Sequence, residues 1–266
     1  MRFEVDGHAA FAYTGSRALD PALPSVALIH GTGLDHSVWE LQSRWLAHHG
    51  YNVLALDLPG HGHSQGAALE TIEALADWVA AALGALSIDR AALIGHSMGA
   101  LIALDAAARH EARVSAVSLL GIALPMTVSA QLLDAARADA HDALDMINVW
   151  GHARGVQLGA NPAPGMWMSG GAIRLLERAR PGVVYRDLRA CNAYRAGGER
   201  AESLTCPVQI ILGRGDRMAP PRLSRALIDA IANAAVTELE CGHMLMNERP
   251  DEVLDALAAF LRSHAR

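Results

Sequence analysis

The chain has 266 residues, 52% of them apolar, enough to bury one large core. A net charge of −6 without any basic tract argues against nucleic acid as a main partner, and every fixed cation is arginine, since lysine is absent. Cys191, Cys206 and Cys241 are odd in number and show no C-x-x-C spacing, which argues against a disulfide framework or a zinc site, and no metal is expected. The N-terminal Met1-Arg-Phe-Glu-Val-Asp6 lacks an apolar signal core and no apolar run has the length of a membrane span, so a cytoplasmic protein is expected.

In chain order, Phe3–Val5 and Phe11–Thr14 are predicted as short strands around a turn at Gly7. Pro24-Ser-Val-Ala-Leu-Ile-His30 is a continuous apolar run, the pattern of a strand buried on both faces. It ends in His30-Gly31-Thr32-Gly33, a turn of small residues that exposes backbone N–H groups. That turn is either half of an oxyanion hole, with the Thr32 N–H as donor, or an ordinary connection. Ser37-Val-Trp-Glu40 fits a capping box, with Ser37 as N-cap of a helix to about His49. Val53–Leu56 is the next strand. The loop Asp57-Leu-Pro-Gly-His-Gly-His-Ser64 offers Asp57, His61 and His63 as metal ligands, but its glycines and proline read better as turn punctuation.

Leu69 to Leu86 carries a helical stripe of Leu69, Ile72, Leu75, Val79 and Leu83, with Trp78 beside it as core. Ala91-Ala-Leu-Ile-Gly-His-Ser-Met-Gly99 follows: a buried strand, then Gly95-x-Ser97-x-Gly99, then a helix from Met98 to about His110. That order makes the motif a nucleophile elbow, in which a tight turn lifts one serine hydroxyl out of the chain. His96 is expected to pack or hydrogen-bond beside it. Val114–Leu120 is another strand, and the alternation so far implies a parallel sheet with right-handed crossovers.

From about Ile122 to Ser203 no buried strand is predicted. Helical patterns at Ala130–Val149, Ala172–Ala179 and Tyr185–Arg195 surround a loop, Asn161-Pro-Ala-Pro-Gly165. Met126, Met146, Trp150, Met166, Trp167 and Met168 make the segment rich in bulky apolar residues. It reads as a helical cap over the strand ends, where open α/β sheets bind ligands. Met126, Trp150 and Trp167, with Met244 from a later loop, are the candidate substrate-binding residues. Pro207–Gly213 resumes the sheet and ends in Arg214-Gly-Asp216. A helix near Arg222–Ala232, a strand at Val236–Leu239, the turn Glu240-Cys-Gly-His243 and an amphipathic helix at Asp251–Ser263 close the chain. The expected division is a core of residues 1–121 and 204–266 with an inserted cap, 122–203.

Ser97, Asp216 and His243 each follow the C-terminal end of a predicted parallel strand, so they share one sheet edge. A serine hydroxyl needs a base to become a nucleophile, and an imidazole oriented by a carboxylate supplies it. The N–H groups of Thr32 and Met98 are the expected oxyanion donors. Asp229 and Asp187 are the alternative acids, and Asp216 is preferred for its strand-end position.

The chain resembles the α/β-hydrolase superfamily over essentially its whole length. The resemblance rests on His30-Gly-Thr-Gly33, Asp57–Ser64, Gly95-His-Ser-Met-Gly99, Gly213-Arg-Gly-Asp216 and Gly242-His243, in the order Ser, Asp, His. It implies an eight-stranded, mostly parallel sheet flanked by helices, with a helical cap after strand six and no cofactor, and a structural role for the Asp57–Ser64 loop. The chain looks most like small esterases, enol-lactone hydrolases and carbon–carbon bond hydrolases, although Ala100 stands where those relatives often have a second glycine. The expected function is a serine hydrolase with an acyl-enzyme on Ser97, acting on an ester or lactone of a small, partly apolar substrate as a monomer or homodimer. The alternatives are carbon–carbon bond hydrolysis, cofactor-free peroxidation or acyl transfer, and non-enzymatic binding of a small molecule.

Overall fold

The computed structural model describes residues 1–159 and 167–264, so the Asn161–Gly165 loop and Met166 lie outside the described residues. A hairpin opens the chain, β1 (Arg2–Val5) against β2 (His8–Tyr13), turning through Asp6 and Gly7 at positive φ. β3 (Ser25–Ile29), β4 (Asn52–Asp57), β5 (Ala91–His96) and β6 (Val114–Leu120) are buried along their whole length. β7 (Val208–Gly213) and β8 (Ala235–Leu239) complete one eight-stranded sheet of order β1-β2-β4-β3-β5-β6-β7-β8. The first two strands join it antiparallel, and the other six run parallel.

From β3 the chain crosses to β4 on one side, and then to β5 on the other. The connections leaving β3 and β5 therefore part, opening a crevice at their C-terminal ends. His30 follows β3 and Ser97 follows β5, so the strand order alone puts these two turns side by side.

The helices α1 (Glu40–His48), α2 (Ile72–Ala85) and α3 (Met98–Arg109) make the first crossovers. The α1 entry differs from the capping-box expectation. A 3₁₀ turn, His36–Trp39, precedes it, and the cap is Asp35, whose carboxylate accepts the Ser37 N–H at 2.9 Å and the Ser37 hydroxyl at 2.5 Å. A carboxylate two residues upstream is the stronger acceptor, so Ser37 becomes a donor. α2 starts three residues after Leu69, because Thr71 caps it by accepting the Ala74 N–H.

Between β6 and β7 the described residues form helices and no strand: α4 (Ala130–Arg137), α5 (His141–Gly151), α6 (Arg154–Gln157), α7 (Met168–Leu176), α8 (Val183–Ala193) and α9 (Gly197–Glu202). The single pattern expected over Ala130–Val149 is broken at Asp139, which has φ 48° and accepts the Gly182 N–H at 2.8 Å. Aspartate tolerates that left-handed conformation better than most residues. Leu132, Ala136, Ala143, Val184 and Leu188 form a small core of their own here, while Ala190 and Cys191 of α8 join the main core. After β7, Pro221–Ser224 is a 3₁₀ turn ahead of α10 (Arg225–Ala230), shortening the helix expected at Arg222–Ala232.

α11 (Leu245–Glu248) and α12 (Pro250–His264) end the described chain. Two apolar layers sandwich the sheet. Along β3, Val26 and Leu28 face the α1–α12 side, and Ala27 and Ile29 face α2 and α3, as the two-residue period of a strand requires. Among the described residues no helix is long and apolar enough to cross a membrane.

Candidate active site

Ser97 joins β5 to α3 with φ 55° and ψ −117°, a backbone conformation that a non-glycine residue holds only when its surroundings impose it. The two glycines do so by sterics. A Cβ at Gly95 would fall on the carbonyl oxygen of Gly99, and one at Gly99 on that of Ile29 and 2.6 Å from that of His30. The elbow is thus pressed against the end of β3. The Ser97 N–H donates to Leu120 O at 2.9 Å, tying it to β6. The Met98 side chain is fully buried, and its N–H opens α3, where helical N–H groups have no intrahelical acceptor.

The turn after β3 lies against this elbow. A Cβ on Gly31 would be 3.3 Å from Ser97 Cβ and 3.0 Å from His96 Nδ1, so a side chain there would have to push the elbow back by a few tenths of an ångström. His30 steadies the turn: its Nδ1–H donates to Gly31 O at 2.9 Å and its Nε2 accepts the Leu58 N–H at 3.2 Å. Full burial, and then the charge of His61, depress the His30 pKa to about 4, so the ring is neutral. Among the described residues the N–H groups of Thr32 and Met98 have no acceptor within the protein.

His243 follows β8 and is held at three points. Its Nδ1–H donates to Asp216 Oδ2 at 2.7 Å. Its N–H, with that of Met244, donates to Gly151 O at 2.8 and 3.0 Å, and its carbonyl accepts the His96 Nε2–H at 2.8 Å. Asp216 is fixed in turn by the N–H groups of Met218 and Ala219 on Oδ1, at 2.8 and 2.7 Å. Burial alone would raise the Asp216 pKa, but His243 and these donors hold it below the ordinary 3.8. Burial, then His243, push His96 down to about 3, so it is a neutral donor beside the elbow. A carboxylate on Nδ1 leaves Nε2 as the nitrogen free to exchange a proton.

Ser97, Thr32 and His243 line one cavity of about 350 Å³. Its walls are largely apolar and come from both the sheet edge and the helices after β6, including Leu132, Ile147, Leu176 and Leu188. Of the candidate substrate-binding residues, Met126, Trp150 and Met244 are among those that line it. Trp167 is not. It is 76% exposed and folds back over Gly170, whose missing side chain leaves room for the indole. The Asp57 carboxylate is occupied by His36 Nδ1 and by the N–H groups of His36 and His63, and His61 turns inward to Asp187. Asp187, weighed only as an alternative acid, bonds His61 and the Gly33 N–H and not His243.

Sequence reading also passed over Arg217 at the cavity wall and Glu248, which accepts the N–H groups of Gly242 and Ala153 at 3.0 and 3.2 Å. A faint signal existed for Asp187. Val184, Asp187, Leu188 and Cys191 follow helical spacing, so a carboxylate stands on a buried face.

A family model described as the alpha/beta hydrolase family matches residues 26–256. The chain is 32% identical over 248 residues to the dihydrolipoyllysine-residue acetyltransferase component of the acetoin cleaving system of Pseudomonas putida. That match covers 90% of this chain but 64% of the relative, so the chain spans just under two thirds of that protein. It is 30% identical to the pimeloyl-[acyl-carrier protein] methyl ester esterase of Methylococcus capsulatus, over 77% of this chain and 81% of that protein. Among solved structures, the enol-lactonase from Burkholderia xenovorans LB400 superposes with a TM-score of 0.86 at 26% identity, covering 98% of this chain and 100% of that one.

Proposed function

Because the chain belongs to the alpha/beta hydrolase family, we propose that it is a serine hydrolase that cleaves a carboxylic ester or lactone through an acyl-enzyme on Ser97. The observation that carries this reading is the meeting of Ser97, Thr32 and an Asp216-bound His243 at one largely apolar cavity. In the proposed reaction His243 Nε2 takes the Ser97 hydroxyl proton as Oγ attacks the substrate carbonyl carbon. The carbonyl oxygen becomes an oxyanion that accepts the Thr32 and Met98 N–H groups. Collapse expels the alkoxide, which receives the proton from His243. A water, deprotonated by the same nitrogen, then attacks the acyl carbon and frees Ser97.

The apolar walls favour a small, partly apolar acyl or alkyl group. Residues 122–203 act, in this reading, as a cap whose helices close the cavity above the sheet edge. The ester and lactone activities named for the Methylococcus relative and the Burkholderia structure agree with it. Labelling by a fluorophosphonate probe tests it, together with turnover of short-chain p-nitrophenyl esters. Wild-type protein is expected to label and turn over, and Ser97→Ala to lose labelling and at least about 10⁴-fold in kcat. A wild-type protein that neither labels nor hydrolyses esters or lactones sinks the proposal.

A further inference from the structure

Three positions on one face of α8 meet the turn that carries Thr32. Asp187 accepts the Gly33 N–H at 2.8 Å and the His61 Nε2–H at 2.9 Å, both on Oδ2. Val184, one turn earlier, covers Gly33, where a Cβ would come within 2.9 Å of its Cγ2. Cys191, one turn later, faces the Thr32 side chain and lines the cavity. Asp187 is 1% exposed, so this is a carboxylate placed deep between the inserted helices and the sheet edge.

The hydrogen-bond pattern sets the protonation. His61 Nδ1 faces the Pro59 carbonyl at 3.0 Å and Nε2 faces the Asp187 carboxylate. Both neighbours are acceptors, so both ring nitrogens carry protons and His61 is an imidazolium. The pair is a buried ion pair with one oxygen shared between a cation and a backbone N–H. Such a carboxylate costs desolvation, and its geometry has to be worth that cost.

We propose that Asp187 is a positioning residue for the oxyanion turn. Its carboxylate draws the Gly33 N–H away from the cavity and leaves the Thr32 N–H as the donor the turn offers to the reacting oxygen. The inserted helix α8 thereby completes a site whose other parts come from the sheet edge. This inference rests on the roles proposed for Ser97 and Thr32.

Asparagine at 187 cannot reproduce the ion pair. Its amide oxygen in the Oδ2 place keeps Gly33 but leaves His61 without a counter-charge. Its amide nitrogen there suits a neutral His61 but opposes the Gly33 N–H. Asp187→Asn keeps the size of the side chain, and Asp187→Leu removes both bonds. For each variant, kcat and KM are measured on a p-nitrophenyl ester and on the matching thiono ester, whose sulfur is a poor acceptor for an oxyanion hole. Folding is checked by near-ultraviolet circular dichroism, and amide exchange at Gly33 is followed by NMR.

The expected result is a fall in kcat of roughly tenfold to a hundredfold on the oxo ester, with KM changed less than about threefold. The preference for oxo over thiono ester should shrink by a similar factor, and Gly33 should exchange faster in Asp187→Leu. A merely structural role lowers both substrates together and leaves that preference intact, which overturns the proposal. So does unchanged Gly33 exchange in folded Asp187→Leu, which leaves that N–H no acceptor on α8. The exchange measurement needs no turnover, so it reads the Asp187 contact even where wild-type protein fails to label at Ser97.

Discussion

The two turns that meet in the crevice between β3 and β5 are held in different ways. The elbow around Ser97 is fixed by its immediate surroundings: Gly95 against Gly99, Gly99 against the end of β3, and Ser97 N–H on β6. The turn from His30 to Gly33 is held by side chains from far along the sequence. Asp187, 154 positions from Gly33, takes its N–H, and Val184 covers its Cα. Backbone against backbone leaves the elbow no slack. A side-chain carboxylate on an inserted helix leaves the turn dependent on how that helix sits. In the proposed mechanism the nucleophile is therefore built into the sheet, and its oxyanion partner is shared between sheet and insertion.

The largest expected effect breaks the rigid half of this comparison. Gly99→Ala puts a methyl group on the carbonyl oxygens of Ile29 and His30, which belong to backbone that cannot rotate away. Overpacking of that kind costs about 3 kcal/mol, so a lowered denaturation midpoint in urea is expected. The Ser97 geometry goes with it, since the same contact imposes the strained φ. A Gly99→Ala protein that melts within a degree of wild type and turns over normally would show that the elbow has room, and the contrast with the β3 turn would fail.

The same contrast explains what could be read from the chain. The elbow was legible because its determinants are local: an apolar run, then glycines two positions either side of Ser97. The parallel strands were legible for the same reason, as β3, β5 and β6 are buried from end to end and read as largely apolar runs. Their shared polarity carried Asp216 and His243 toward one edge. The Asp187 contact was not legible, because a carboxylate on a helix carries no mark of which distant N–H it meets. Nor was Glu248, which holds the Gly242 N–H from the turn after His243. Ser37 misled for a related reason: the capping box is a local pattern, but Asp35 lay two residues upstream with a stronger acceptor. Trp167 misled because bulk suggests a pocket wall, while only the packing over Gly170 sends it outward.

The second effect tests the long-range half through pH. Burial pulls the His61 pKa down, but the charge and hydrogen bond of Asp187 outweigh it and leave the value above the ordinary 6.5. Around His61 stand Asp187, the more distant Asp57, and His30, whose ring centroid is 4.8 Å away and which stays neutral at about 4. A histidine with a raised folded pKa contributes its full stabilisation below its unfolded pKa, and loses it as pH rises through the folded value. The stability gap between wild type and His61→Gln should therefore be widest near pH 6. It should narrow as pH rises above that range. The lost hydrogen bonds of the variant give a constant offset and do not bend the curve. Denaturation midpoints at pH 6 and pH 9 suffice, and a gap that is flat or widens toward pH 9 would mean His61 is not charged in the folded protein.

The smallest effect asks whether the insertion acts as a whole or through one helix face. Trp167 is 76% exposed beside α7, and Trp150 lines the cavity from α5. Removing an exposed indole that only covers Gly170 should change stability by no more than about 0.5 kcal/mol. It should also leave kcat, KM and the oxo-over-thiono preference where they were. Trp150→Ala should raise KM several-fold, because it removes cavity wall, yet keep that preference, because it does not touch the β3 turn. If Trp167→Ala lowers kcat tenfold, the inserted helices move as one body on the site. In that case the grip of α8 on Gly33 is one contact among many, and the difference between the two turns reduces to a matter of degree.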